Sequence, residues 1–380
     1  MVNQSSIPFN KALISESDVS LLRGAIELGH VSGNGPFTQQ CEDLLQSIHN
    51  DSRVLLTTSC THSLELAARL LNLSPGDEVI VPNFTFVSTA SAFALVGATP
   101  VFVDVDEISL NIVAKLIELA LTPQTRAVCI VHYAGISCDL DEIVVLCQRH
   151  NLVLIEDNAH GLGAKYKGRM LGTFGAMSTL SFHETKNITC GEGGALVLND
   201  ATLVERAEIL REKGTNRSRF LRGQVDKYTW VDLGSSWVIS DLLAALLLSQ
   251  LSRLSEINTQ RRAIFEEYLV ELAGWSVAND VRLPVVPGFA EHVGHLFHLR
   301  FNSLKTRQRF IAHMASANIS TVFHYQSLAD SPAGKSLGRV SESLNVSRDA
   351  ADTLVRLPIH LHLTPDDVRH TIDQVLKFGV

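Results

Sequence analysis

Short apolar runs alternate with stretches of helical periodicity through the first half of the chain. Residues 53–56, 78–82, 101–105, 127–131 and 152–155 read as buried strands. Between them, residues 63–73, a stretch ending at Gly97, residues 110–121 and residues 140–150 read as helices. A further helix is expected over residues 17–28, where Leu21, Leu22, Ala25 and Ile26 share one side. This repetition predicts an α/β protein whose mostly parallel sheet is covered by helices on both faces.

Strands at residues 177–182 and 195–198 flank a glycine-rich turn, and a helix is expected over residues 203–212. A basic, polar segment follows, from Lys213 to Gln224. Residues 240–262 read as one long helical run linking a large unit to a smaller one. The remainder gives weaker signals: strands at residues 295–301 and 319–324, helices at residues 306–317 and 365–378. The expected division is a large unit of residues 1–250 and a small α+β unit of residues 251–380.

With 380 residues, 46% hydrophobic and 19% charged, the chain can bury a large core and has the composition of a soluble globular enzyme. A net charge of -8 leaves no basic excess to neutralise a nucleic acid, so the expected partner is a small molecule. Residues 1–11 carry no apolar signal-peptide core, and the longest apolar run, residues 242–248, is far short of a membrane span. A cytoplasmic protein without membrane attachment is expected. The cysteines are scattered without a CxxC pair, which favours reduced thiols over a zinc ribbon or disulfide framework. His295 with His298, and His360 with His362, lack a companion carboxylate or cysteine cluster, so no metal site is expected.

The candidate chemistry centres on Ser181-Phe182-His183-Glu184-Thr185-Lys186-Asn187, which ends a strand, presents one lysine and runs on into Gly191-Glu192-Gly193-Gly194. A single lysine is ordinarily a solvated surface charge. Upstream, however, Leu152-Val153-Leu154-Ile155-Glu156-Asp157-Asn158-Ala159-His160 ends a buried-type strand in two carboxylates and a histidine. Parallel strands deliver their carboxyl-end residues to a ligand crevice, so an acid and an amine are expected at one rim. Pyridoxal phosphate chemistry needs that pair: an amine that forms a Schiff base, and an anion that keeps the pyridine nitrogen protonated. Lys186 is the expected amine and Asp157 the expected anion.

Other stretches carry two readings each. Thr57-Thr58-Ser59-Cys60-Thr61-His62-Ser63 leads into a helix, whose N-terminus suits a phosphate; ordinary capping by these hydroxyls competes. Phe86, at a strand-to-helix turn, suits stacking on a flat ring or packing in the core. His132 is equally a crevice residue or a satisfied buried histidine. Gly29-His30-Val31-Ser32-Gly33-Asn34-Gly35-Pro36 lacks the ending of a P-loop and is either a phosphate-contacting loop or a plain surface loop. The cations between Lys213 and Arg222 point to an anionic substrate, with a solvated loop as the plain alternative.

Taken in order, Glu156-Asp157-Asn158-Ala159-His160, Ser181-Phe182-His183-Glu184-Thr185-Lys186-Asn187 and Gly191-Glu192-Gly193-Gly194 resemble the sugar aminotransferases of the DegT/DnrJ/EryC1/StrS family. The likeness runs from Ile7-Pro8-Phe9 to Leu357-Pro358. It implies a pyridoxal 5'-phosphate enzyme of fold type I, with a large domain built on a seven-stranded-type sheet, a smaller C-terminal domain, and a homodimer with shared active sites. Carried over by resemblance, Lys186 is the Schiff-base lysine, Asp157 pairs with the pyridinium and Phe86 stacks on the ring. Cys60, Thr61 and Ser181 match phosphate-binding positions. His160 matches the residue near the cofactor hydroxyl, where many members have glutamine. Gly234-Ser235-Ser236-Trp237 stands where many members read Gly-Tyr-Asn-Tyr, so Ser236 reaches less far toward the phosphate across the dimer. Substrate contacts are expected from Arg217, Arg219 and Arg222, from the loop at Gly33 and Gly35, and from His324 and Tyr325.

Thr85-Phe86-Val87-Ser88-Thr89-Ala90 and Lys213-Gly214-Thr215-Asn216-Arg217-Ser218 are most similar to members that aminate dTDP-4-keto-6-deoxyglucose from L-glutamate, for surface polysaccharides such as enterobacterial common antigen. An aminotransferase for a 3-keto or GDP-linked 4-keto sugar, and a non-catalytic binding protein of the same fold, are the alternatives. The related sugar 3-dehydratases carry histidine at the lysine position, so Lys186 speaks against that activity.

Overall fold

The computed structural model describes residues 6–380. Five strands form where the apolar runs predict them: β1 (Arg53–Thr57), β2 (Glu78–Pro82), β3 (Thr99–Val103), β4 (Thr125–Val131) and β5 (Val153–Asp157). The short pair β6 (Lys165–Tyr166) and β7 (Arg169–Met170) precedes β8 (Met177–Ser181) and β9 (Gly194–Leu198). Late in the chain come β10 (Ala290–Glu291), β11 (Phe297–Arg300), β12 (Val322–Phe323), β13 (Arg339–Val340) and β14 (Leu354–Leu357).

One sheet has the order β1-β9-β8-β5-β4-β2-β3-β13, so the expected seven strands gain an eighth at the edge. From β13 across to β8 every neighbouring pair is parallel, and β9 runs against both β8 and β1. Parallel neighbours need crossovers, which the helices Ser88–Ala94, Ala114–Ala120 and Leu140–Arg149 supply. Alternation along β2 shows that both sheet faces are covered: Val79 and Val81 enter one apolar cluster, Ile80 another.

A second sheet, β11-β14-β12, packs with the 25-residue helix Leu254–Ala278, which buries Arg261, Phe265, Tyr268, Leu272 and Trp275 along one stripe. Two segments tie this part to the rest. Ile7 joins its core and bridges to Ile319, while β13 returns to pair with β3.

Three expected helices differ from the structure. The helix placed over residues 110–121 starts at Ala114, because the Asp106 carboxylate collects the N–H groups of Ile108 and Ser109 and Leu110 adopts a φ of 57°. The run over residues 240–262 is two helices, Asp241–Ser252 and Leu254–Ala278, broken at Arg253, whose guanidinium reaches Asp18 at 2.8 Å. The helix placed over residues 63–73 begins earlier, at Cys60, which puts the hydroxyl-rich stretch in its first turn. The strand placed over residues 319–324 shrinks to β12. Pro36–Ile48 forms a helix that the pattern did not predict; Pro36 occupies its first turn and Asp241 accepts the N–H of Thr38 at 2.7 Å. Among the described residues no helix is long and apolar enough to cross a membrane.

Candidate active site

β5 and β8 lie side by side and parallel, with Asp157 opposite Thr179. Their carboxyl ends open on one cavity of about 610 Å³, lined by the expected Cys60, Thr61, Phe86, Asp157, His160, Ser181, Lys186, His324 and Tyr325.

Asp157 is buried, and its carboxylate accepts from Thr89 Oγ1 at 2.8 Å and from the Ala159 N–H at 3.2 Å. Burial pushes its carboxyl above the ordinary range, and these donors with Lys186 pull the other way. Lys186 sits just past β8, where its N–H donates to the His183 carbonyl at 2.9 Å and turns the chain back. Its side chain opens onto the cavity but is walled by protein, and burial pushes the ammonium down to about 8 against the pull of Cys60 and Asp157. An amine at that value is roughly one-tenth neutral at pH 7, where an ordinary lysine is almost wholly protonated, and the neutral form is the one that acts as nucleophile and base. No ion pair joins Lys186 to Asp157 among the described residues, so both remain available to a guest.

At the other end of the cavity, Ser59 caps the helix Cys60–Leu70 by accepting the His62 N–H at 3.1 Å. The N–H groups of Cys60 and Thr61, in the first turn, have no intrahelical acceptor and suit a phosphate. Gly194, paired with Ser181 across β8 and β9, lets this turn come down onto the sheet; a Cβ there would collide with the Ser59–Cys60 peptide. Phe86 stays more than half exposed, with its ring at the cavity wall.

Histidines and tyrosines form the third wall. The rings of His160 and His295 stack at 4.3 Å, Tyr325 Oη lies 3.3 Å from His160 Nε2, and Tyr133 Oη lies 3.0 Å from His324 Nδ1. Burial drives His160, His295 and His324 well below the ordinary histidine range, so these rings are neutral at neutral pH. His132 is structural: fully buried, it meets Glu156 at 3.0 Å through Nε2 and accepts the Cys138 N–H at Nδ1.

Ser236, Gly33, Gly35, Arg217, Arg219 and Arg222 do not line this cavity. They gather in a second group, where Asn34 bonds Glu212, Ser236 bridges to Glu212 and Arg217 stands 3.7 Å from the same carboxylate. Arg219 pairs with Glu205, and Arg222 with Glu208 at 2.8 Å. Sequence reasoning missed Thr89, Arg261, His295 and Arg356 as cavity-facing or cavity-supporting groups. A signal existed for Arg356, a lone charge in the apolar run of β14.

Residues 13–376 match the DegT/DnrJ/EryC1/StrS aminotransferase family. The chain belongs to that family. As a DegT/DnrJ/EryC1/StrS aminotransferase it is an enzyme of the transaminase class, which works through pyridoxal phosphate. An uncharacterised protein of Methanocaldococcus jannaschii is 31% identical over 99% of this chain and 98% of its own length. The aminotransferase TlmJ of Streptoalloteichus hindustanus superposes with a TM-score of 0.90 at 30% identity, covering 98% of each chain. A putative sugar aminotransferase of Streptococcus pneumoniae, in its PLP form, superposes with a TM-score of 0.89 at 27% identity, again covering 98% of each.

The cavity of this DegT/DnrJ/EryC1/StrS aminotransferase fits the cofactor. His160, which lines the cavity, has its Nδ1 buried without a partner, which suits a polar ring and its substituents. Lys186 would hold the cofactor aldehyde, Asp157 its ring nitrogen, and the turn from Ser59 to Thr61 its phosphate.

Proposed function

We propose that this enzyme is a sugar-nucleotide aminotransferase that moves the amino group of L-glutamate to C4 of dTDP-4-keto-6-deoxy-D-glucose. The products are dTDP-4-amino-4,6-dideoxy-D-galactose and 2-oxoglutarate, made in the cytoplasm for a surface polysaccharide of the enterobacterial common antigen or O-antigen type. The observation that carries the reading is Lys186 and Asp157 on one cavity, unpaired with each other.

Bound pyridoxal phosphate supplies an electron sink for the bond broken at the amino-bearing carbon. Asp157 holds a proton at the ring nitrogen, and Thr89 keeps the carboxylate in place. Lys186 takes the proton from the donor α-carbon and, in the second half-reaction, gives a proton to C4 of the sugar, a role for which an amine of pKa about 8 is suited. The neutral pair His160 and Tyr325 orients the oxygen substituent of the ring and of the keto sugar through hydrogen bonds. Residues 1–250 carry the cofactor and residues 251–380 close the cavity from the other side.

A homodimer with shared active sites is part of this reading. Support comes from the second group of expected residues, which do not line the cavity of their own chain and would serve the partner's: Ser236 the phosphate, Arg217, Arg219, Arg222 and the loop at Gly33 and Gly35 the sugar nucleotide. Beside it Leu221, Tyr228, Trp230 and Leu233 are exposed, an apolar surface that a second copy would cover. The test is incubation with dTDP-4-keto-6-deoxyglucose and L-glutamate, followed by NMR of the product. An axial 4-amino sugar supports the assignment; no amination, with turnover on a 3-keto or GDP-linked sugar instead, overturns it.

A further inference from the structure

Lys186 lines two cavities: the large one it shares with Asp157, and a chamber of about 20 Å³, which has room for one water. Asn10 and Arg261 also line both, so the chamber adjoins the main cavity along these residues. Its walls come from segments far apart in sequence. Residues 10–13 cross the turn after β8, where Asn10 Nδ2 donates to the Glu184 carbonyl at 3.0 Å. Gln250, in the helix Asp241–Ser252, holds the same segment by donating its Nε2 to the Leu13 carbonyl at 2.9 Å and to Asp18 at 3.0 Å. Arg261 gives its Nε and Nη2 to the carbonyls of Gly294 and His295.

These commitments leave polar atoms over. Asn10 Oδ1, Gln250 Oε1 and Arg261 Nη1 have no partner among the described residues, although Gln250 and Arg261 are only 2% and 4% exposed. Buried polar groups left unpaired are costly, and a water between two acceptors and one donor satisfies all of them. Such a water uses both hydrogens and one lone pair, which leaves the second lone pair for the Lys186 ammonium. The exposed Lys11 and Glu184 line the same chamber and mark its way to solvent.

During a half-reaction the donor fills the main cavity, and the hydrogen taken from its α-carbon sits on Lys186. An amine with a pKa of about 8 passes through both protonation states near neutral pH, so it hands protons on readily. Resting on the aminotransferase reading, we propose that the chamber holds one water, bound by Asn10, Gln250 and Arg261, which exchanges protons between Lys186 and solvent while substrate occupies the main cavity. The ammonium gives an N–H proton to the water, the water gives one of its own to solvent past Lys11 and Glu184, and the reverse transfer returns a solvent proton to the amine. No net charge moves; the hydrogen taken from the donor is replaced by one from solvent.

The first test is a single half-reaction of the cofactor-loaded enzyme in ordinary water with L-glutamate deuterated at its α-carbon. Mass spectrometry reads the deuterium carried into the pyridoxamine phosphate that forms. The wild type should carry over almost none. Ala12→Leu and Leu361→Phe fill the chamber from different walls, and each should raise the share toward about one-third, as for one of three hydrogens on an isolated ammonium. Half-saturation by glutamate should stay put. The second test needs no cofactor: a crystal structure of the cofactor-free wild type should show one ordered water within hydrogen-bonding distance of Gln250 Oε1 and Arg261 Nη1. Large carry-over in the wild type, washout that persists in both filled variants, or a chamber without ordered water overturns the proposal. The wild-type measurements decide it even where a filled variant does not fold. Failure of any amino acid to convert the cofactor would instead strike at the aminotransferase reading itself.

Discussion

Asp157 and Lys186 reach one cavity from adjoining parallel strands, and no ion pair joins them. Each bears on the other's protonation, yet burial outweighs that attraction in both: it raises the acid and lowers the amine. A cationic pyridinium beside Asp157 would favour its ionised form against the push of burial.

Replacing Asp157 by Asn separates binding from folding. Because burial raises the folded carboxyl above its unfolded value, this group favours the fold at low pH and gives that contribution up as pH rises. Asp157→Asn should then melt higher than the wild type at neutral pH when both lack cofactor, with the gap closing near about pH 4. Cofactor affinity should fall about tenfold or more, since a charge-assisted bond is lost. Thermal melts of both proteins, with and without pyridoxal phosphate, measure the two effects.

Cofactor capture should follow the Lys186 amine. Only the neutral amine attacks an aldehyde, so the rate of visible-band formation should climb with pH and level off above about 8. A rate that keeps climbing toward the ordinary lysine value of about 10.4 would mean that burial does not act on Lys186 as described.

Glu156, next to the cofactor acid in sequence, belongs to the scaffold. Its carboxylate accepts from the N–H groups of Gly172, Phe174 and Gly175 at 2.8, 2.7 and 2.8 Å, and meets His132 at 3.0 Å. Burial alone would raise its pKa, but His132 and these N–H groups together hold it below the ordinary range. A lowered carboxyl stabilises the fold above its unfolded pKa, and that stability is lost as pH falls through the acid range. Glu156→Ala should cost about 3–5 kcal/mol, because it strands His132 and three loop donors. Urea denaturation at neutral and acid pH measures it, and the difference from the wild type should shrink in acid.

Much of this site was legible in the sequence because it lies at the ends of apolar strands. β5 announces itself by the unbroken apolar run of residues 152–155, with Asp157 closing the strand, while β8 alternates Met177 and Leu180 with hydroxyl residues and Lys186 follows in the turn beyond Ser181. The C-terminal wall was not legible in the same way. β12 is two residues long and β14 four, too short for a period to show, and Arg356 is recognisable only once β14 is seen to face Lys186. The helix Pro36–Ile48 escaped for another reason: its start depends on Asp241, distant in sequence, which accepts from Phe37 and Thr38. The basic residues from Arg217 to Arg222 read as free charges in the sequence, whereas Glu205, Glu208 and Glu212 partner them in the fold.

Borohydride reduction of the cofactor-loaded protein, followed by peptide mass spectrometry, tests the central assignment most directly. The phosphopyridoxyl mass should be found on the peptide containing Lys186. Its appearance on another lysine, or on none, would contradict the account.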